Sequence, residues 1–499
     1  MRQELLVNAT PPETRVAVTE DGGTVEVLHE RRDHQGLVGN VYLGRVHRVL
    51  PGMHAAFVSI GLDRDAFLYV EDVLPKTVEA DLEETVERGE TLAGRDFDHP
   101  EPARIEELLR EGQDVVVQVT KDPLGGKGPR VTANLAMAGR TLVCLQGASG
   151  VGISRRITDE AERERLRRIL EGFGSGSGWI ARTAARGAED SEFVADRRYL
   201  EELAARIQHK AASASGPLLL SRELDLALRS VRDLVTPDFA AIRVDDPETR
   251  DRVVAFLAAV APKLAPRVEL YEGPEPLFER FGVEAEIENA LKHRVPLRSG
   301  GSVVIHQTEA LVAIDVNTGK FVGSDALEET VFATNVEAVP EIARQIRLRD
   351  LGGLLVVDFI DMEDPEHRKQ VFEMFESELA KDRARSRLLQ ISEFGLVEIT
   401  RQRSRGNLEK TLTRSCPACG GTGRVKTDLT VALDLRRTLL AAANLYAPGE
   451  TIRIRVRSSV AKVLAEEEPD LLPEVETRLN VKLELLPDET LEPGELEIL

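Results

Sequence analysis

Two apolar runs in the third quarter of the chain each end in aspartate: Ala310-Leu311-Val312-Ala313-Ile314-Asp315 and Leu354-Leu355-Val356-Val357-Asp358. Short continuous apolar runs are the pattern of strands buried on both faces. A helix-length stretch from about Ala326 to Arg349 separates them. That order predicts a β-α-β unit with parallel strands, which puts both aspartates at one rim of a sheet. Ligands of open α/β sheets gather at the carboxyl ends of strands, and hard divalent cations take oxygen ligands. Either aspartate alone reads as a loop start or a helix cap. Asn317, Thr318, Gly319 and Lys320 after the first, and Asp361 after the second, make the rim dense in polar groups and favour a metal site.

A chain of 499 residues exceeds what one core can serve, so three or more domains are expected. No apolar stretch reaches membrane-spanning length and the N-terminus has no signal-peptide core, which predicts a cytoplasmic protein with no membrane span. Three cysteines cannot build a disulfide framework, and Cys144 sits in an apolar strand-like run that reads as core. The net charge of −21 excludes a surface coated in basic residues for duplex DNA. A groove obeys its local potential, however, and from Lys381 to Lys426 eleven Lys and Arg face four Asp and Glu.

Upstream, Asn40 to Val46, Ala55 to Ile60, Asp65 to Leu68 and Asp114 to Lys121 read as short antiparallel strands of a small barrel of the OB type, interrupted by an acidic helical insertion within about 71 to 112. Phe57 and Phe67 on that barrel are either core residues or stacking platforms for single-stranded bases. The loop Leu124-Gly125-Gly126-Lys127-Gly128-Pro129-Arg130 is rich in backbone N–H groups and positive charge, as phosphate cradles are. Arg182-Thr183 follows a strand, with Arg155, Arg156 and Arg186 as candidate neighbours. A guanidinium fork there could grip a phosphate or be ordinary surface. A helix is expected to open at Asp159 with Glu162 as its capping-box partner.

Cys416-Pro417-Ala418-Cys419-Gly420-Gly421-Thr422-Gly423 is the sharpest local motif. Two thiolates on a tight turn can face one tetrahedral ion, but a structural zinc needs four ligands and no second C-x-x-C is present. Redox chemistry and a zinc shared by two chains both fit the spacing. The glycines oppose the helix that a redox C-x-x-C normally opens, which favours the shared zinc.

Taken together, Asp315-Val316-Asn317-Thr318-Gly319, Arg347-Leu348-Arg349-Asp350-Leu351-Gly352-Gly353, Val357-Asp358-Phe359-Ile360-Asp361-Met362 and Cys416-Pro417-Ala418-Cys419 resemble the ribonuclease E/G family of bacterial endoribonucleases, and the chain is more similar to the G branch. The resemblance implies a multidomain α/β chain. Residues 1–36 would be the first part of an RNase H-like fold, 37–132 an S1-like barrel with the acidic insertion, 133–215 a 5′-sensor subdomain and 216–290 the second RNase H-like part. Residues 291–412 would be a DNase I-like catalytic domain, 413–427 a zinc link and 428–499 a small C-terminal α/β domain. It implies cleavage of single-stranded RNA, in ribosomal RNA precursors and messenger RNA, with preference for a 5′-monophosphate and products carrying 5′-phosphate and 3′-hydroxyl ends. Asp315 and Asp358 would hold Mg2+, and Asn317 would bond the scissile phosphate. Arg182, Thr183, Arg385, Gly125 and Val131 match the 5′-phosphate pocket, and Phe57, Phe67 and Lys121 the RNA-clamping barrel surface. Cys416 and Cys419 match a Zn2+ link joining a homodimer, with dimers able to pair into tetramers. A non-catalytic RNA-binding protein and a small-molecule phosphohydrolase are the competing readings. The acidic rim argues against the first and the S1-like block against the second.

Overall fold

The two aspartate-ending runs are parallel neighbours at the centre of a six-stranded sheet. The computed structural model describes residues 2–31, 36–74, 104–123, 127–174, 176–319, 327–389, 396–402 and 407–499. Gly125, Lys320, Arg403, Arg405 and most of the acidic insertion lie outside the described residues. The chain divides into two units, Met1–Thr411 and Leu412–Leu499.

Across the sheet the strands run Arg294–Pro296, Ser302–Gln307, Leu311–Asn317, Gly353–Asp358, Leu396–Arg401 and Ser386–Leu388. Only the central pair is parallel, joined by the helix Leu327–Leu348. The expectation of burial on both faces is corrected. Val312, Ile314 and Val316 are buried, whereas Ala313, Asp315 and Asn317 are exposed. The buried set packs with Val339, Ile342 and Ile346 of the crossover helix and with Val371 and Phe375 of the helix Pro365–Leu379. The other face carries Ala313, Val356 and Leu354, apolar residues whose exposure no run of letters distinguishes from burial.

Val41–Leu50, Ala55–Ser59, Ala66–Tyr69, Arg130–Thr132 and Asp114–Lys121 close into a five-stranded barrel, because the first strand also pairs with the last, Val41 opposite Gln118 and Arg45 opposite Asp114. Val46, Val58, Leu68, Val117, Val119 and Val131 fill it. Inward β-branched residues suit so narrow an interior, and closure removes the exposed sheet edges. The architecture is thus mixed α/β with an OB-like barrel.

The N-terminal strands Gln3–Thr10, Glu13–Glu20 and Gly23–Arg31 share a sheet with Phe239–Val244 and Val268–Leu270, sequence-distant partners joined by the parallel pairing of Leu5 with Ile242. Between these two segments, Val151–Ile153, Ser177–Ala181, Leu142–Gln146 and Ala136–Ala138 form a four-stranded sheet packed by the helices Glu160–Glu171 and Asp190–Ala212. The capping box at Asp159 is half made. Asp159 Oδ1 accepts from the Glu162 N–H at 2.8 Å, but the Glu162 carboxylate turns to Arg165 and the Gly187 N–H. Cys144 is buried here, and burial pushes its thiol up to about 11.

In the same region Asp196 is fully buried and accepts from the N–H groups of Arg140, Thr141 and Leu142 at 3.0, 2.7 and 2.9 Å and from the Thr141 hydroxyl at 3.0 Å. Burial pushes its carboxyl above the ordinary value against the pull of those four donors.

The C-terminal unit has a small sheet in which Thr451–Val456 lies between Lys482–Pro487 and Glu497–Ile498, covered by the helices Asp428–Ala441 and Leu471–Leu479 through Leu435, Leu439, Ile454 and Val475. No helix among the described residues is long and apolar enough to cross a membrane.

Candidate active site

Asp315 and Asp358 are register partners, so their side chains leave the same sheet face side by side. Both are exposed, as is Asn317 two residues on, whose Nδ2 donates to Asp315 Oδ2 at 2.6 Å. Partial burial, then the charges of Asp315 and Asp361, hold the Asp358 carboxyl above its usual value. Carboxylates that converge in this way are suited to a cation. The acidic set is small, since among the described residues no three His, Cys, Asp or Glu converge as a metal cluster.

Backbone packing explains the glycines around this rim. A Cβ on Gly301 would stand 2.8 Å from Asn317 O, and one on Gly319 would stand 2.6 Å from Gly300 O. The two loops therefore touch backbone to backbone, which only glycine allows.

Asn335, invisible to sequence reasoning, holds the other side. It is fully buried in the crossover helix, where its Nδ2 donates to Ile360 O at 2.8 Å and its Oδ1 accepts from the Ile360 N–H at 3.1 Å. Phe359 packs edge-on against Phe375 at 5.6 Å. These contacts fix the turn from Asp358 to Asp361. A buried amide in a helix interior has no spacing signal that could have announced it.

Arg182 and Thr183 lie at a strand end and line a cavity of about 310 Å³ together with Arg140, Arg156, Arg232, Arg347 and Arg383. Arg182 is engaged there. Its Nη2 meets Asp233 at 2.8 Å and its Nη1 donates to Gly139 O at 2.6 Å. Burial works to raise the Asp233 carboxyl, but Arg232 and Arg182 hold it well below the carboxylate range. Arg385 is exposed one residue beyond Ala384, which lines the cavity. Val131 is not with them, since its side chain fills the barrel.

On the barrel, Phe57 and Phe67 face each other across neighbouring strands with ring centroids 5.4 Å apart, both half-buried. Tyr69 extends the row, 4.6 Å from Phe67, and the Arg130 guanidinium lies over its ring at 4.4 Å. Lys121 is exposed at the end of its strand, opposite Arg130.

In the C-terminal unit, Cys416 is exposed and Cys419 half-buried on a turn that precedes, and does not open, the helix Asp428–Ala441. The Gly423 N–H reaches Cys419 Sγ at 3.3 Å, and with the Gly421 N–H it holds the Cys419 thiol below its ordinary value. Backbone donors aimed at sulfur favour the thiolate, the form that binds metal.

The sequence profile of the ribonuclease E/G family matches residues 136–404, and that of a domain described as RNase E/G, thioredoxin-like, matches residues 415–499. The chain belongs to the ribonuclease E/G family of endoribonucleases. It is 42% identical to ribonuclease G of Escherichia coli (strain K12) over 478 residues, covering 95% of each chain. It is 41% identical to ribonuclease G of Haemophilus influenzae, covering 96% of each. Against ribonuclease E of Haemophilus influenzae the identity is lower, 35% over 98% of this chain and 51% of that protein.

Proposed function

We propose that this endoribonuclease is magnesium-dependent and cuts single-stranded RNA, in ribosomal RNA precursors and messenger RNA, leaving 5′-phosphate and 3′-hydroxyl ends. The observation that carries the reading is the registry of Asp315 with Asp358 on an open sheet face, with Asn317 bonded to Asp315. Asp315 and Asp358 would hold Mg2+, which when bound polarises the phosphoryl oxygens and lowers the pKa of water. Asn317 orients the Asp315 carboxylate through one amide N–H and keeps its other N–H for a substrate phosphate oxygen. Asn335 keeps the Asp358 turn from drifting, since about 1 Å of misplacement is enough to cost a large part of the rate. In this reading the central sheet is the DNase I-like domain, the N-terminal sheet the RNase H-like one and the barrel an S1 clamp whose Phe57 and Phe67 stack bases beside Lys121. Mapping the ends of products from a defined RNA tests the chemistry. Products bearing 3′-phosphates or 2′,3′-cyclic ends would contradict it.

The arginine-lined cavity at Arg182 and Thr183 supports preference for a 5′-monophosphate, with Arg385 beside it. A terminal phosphate would compete with Asp233 for the Arg182 fork. Arg182→Ala removes a charge-assisted contact of about 1.5–3 kcal/mol. The variant should lose most of its preference for 5′-monophosphate over 5′-hydroxyl RNA while still cutting slowly. Paired rate measurements on the two substrates check this, and an unchanged ratio contradicts it.

Cys416 and Cys419 would supply two thiolates to a Zn2+ completed by the same pair of a second chain, and dimers so formed can pair into tetramers. Zinc content should then be about half an ion per chain, as two of the four tetrahedral ligands come from each chain. Cys416→Ala should lower zinc content and dimerisation together. One full zinc per chain, or a double Cys→Ser variant with unchanged sedimentation, would rule out the shared site.

A further inference from the structure

The open face of the central sheet carries two histidines that the acidic rim does not use. His306 lies on Ser302–Gln307 opposite Ala313, and therefore on the face that carries Asp315 and Asp358. His293 precedes the edge strand, and its ring stacks on that of His306 with centroids 4.8 Å and planes 23° apart. Its Nδ1 lies 3.2 Å from Ile305 O, which fixes the lower ring of the stack. Both imidazoles are exposed.

Register sorts this face into two rows. One runs Arg294, Val304, Asp315, Asp358 across four strands, with a cation at the sheet edge and the acidic pair at the centre. The next runs His306, Ala313, Val356, Glu398, where two small apolar side chains leave a low floor beside the imidazole. From strand spacing and rise, the His306 and Asp315 backbones are about 8 Å apart, close enough for neighbouring parts of one nucleotide chain to reach both.

We propose that His306, backed by His293, is a stacking platform for one base of the single-stranded RNA next to the bond being cut. The backbone phosphates then follow the Arg294–Asp315 row and the base lies over the adjoining one. This rests on the ribonuclease function proposed above. Every base presents a π face, so an exposed ring accepts any of them. A ring already stacked on a second, hydrogen-bonded ring loses little freedom when the base arrives.

The test combines kinetics with binding. His306→Ala should raise KM for a single-stranded RNA about tenfold with kcat changed less than about twofold, the scale of one lost base stack. His306→Phe, which keeps an aromatic ring, should restore KM. In an Asp358→Asn background, RNA carrying 2-aminopurine at successive positions should be quenched at one position next to the cleavage site, and His306→Ala should abolish that quenching alone. A KM unchanged in His306→Ala, a Phe variant as poor as Ala, or quenching untouched by the substitution would each overturn the proposal. The binding arm needs no turnover. Failure of the wild-type chain to cut RNA would therefore strike the proposed function, while loss or survival of the quenching still decides the role of His306.

Discussion

Asp315→Asn or Asp358→Asn should lower kcat for RNA cleavage by about 10³-fold or more while changing RNA affinity less than about twofold. Each swap is nearly isosteric, and both residues are exposed at strand ends, so the core of Val312, Ile314, Leu355 and Val357 beneath them is untouched. What the amide removes is charge. A hard cation is held by anionic oxygen, and the stabilisation that it lends a phosphoryl transition state is worth several kcal/mol. At 1.36 kcal/mol per tenfold, a loss of about 4 kcal/mol gives the stated factor. Affinity should survive because neither carboxylate attracts a phosphate by itself. Single-turnover rates and filter-binding affinities measured on the same preparations separate the two quantities. Parallel loss of both would contradict the assignment.

Asp196→Ala should destabilise the Met1–Thr411 unit by about 3–5 kcal/mol, a fall of about 4–6 °C in Tm for a unit of this size. Three backbone N–H groups and the Thr141 hydroxyl end on this one buried carboxylate, and alanine leaves all four without an acceptor. Each buried donor so stranded costs about 1–3 kcal/mol, reduced where the loop relaxes toward water. Gly139 exists for this contact, because a Cβ there would stand 2.3 Å from Asp196 Oδ1. The same loop receives the Arg182 N–H on Thr141 O, so loss of Asp196 should also disturb the arginine cavity. Asp196→Asn, which keeps one carbonyl oxygen, should fall between. Thermal melts of the three proteins check the order, and an alanine variant within about 1 kcal/mol of wild type would show that the loop finds other partners.

The β-α-β unit is legible because its signals are local: two apolar runs, a helix-length spacer, and aspartates at equal positions. The registry of Asp315 with Asp358 follows from that pattern. The barrel is legible from short alternating strands, although its closure between Val41–Leu50 and Asp114–Lys121 spans an insertion that no pattern bridges. Contacts between sequence-distant side chains are not legible. Nothing periodic links Arg182 to Asp233, Asn335 to Ile360, or His306 to His293. A one-sided strand built from Ala, Val and Leu also reads as a two-sided one, because exposure depends on what packs above it. The C-terminal unit reads only as a small α/β domain, and its relation to the thioredoxin-like domain of the family comes from the profile match.

If the acidic rim on the open sheet face is the seat of metal-dependent RNA cleavage, cutting must need both magnesium and Asp358. The most direct measurement is to incubate the purified chain with a 5′-labelled single-stranded RNA at rising magnesium concentrations, beside the same series with Asp358→Asn. Internal cuts should appear with magnesium, vanish with chelator and be absent from the variant. Cleavage that persists in chelator, or that survives unchanged in Asp358→Asn, would contradict that role for the rim.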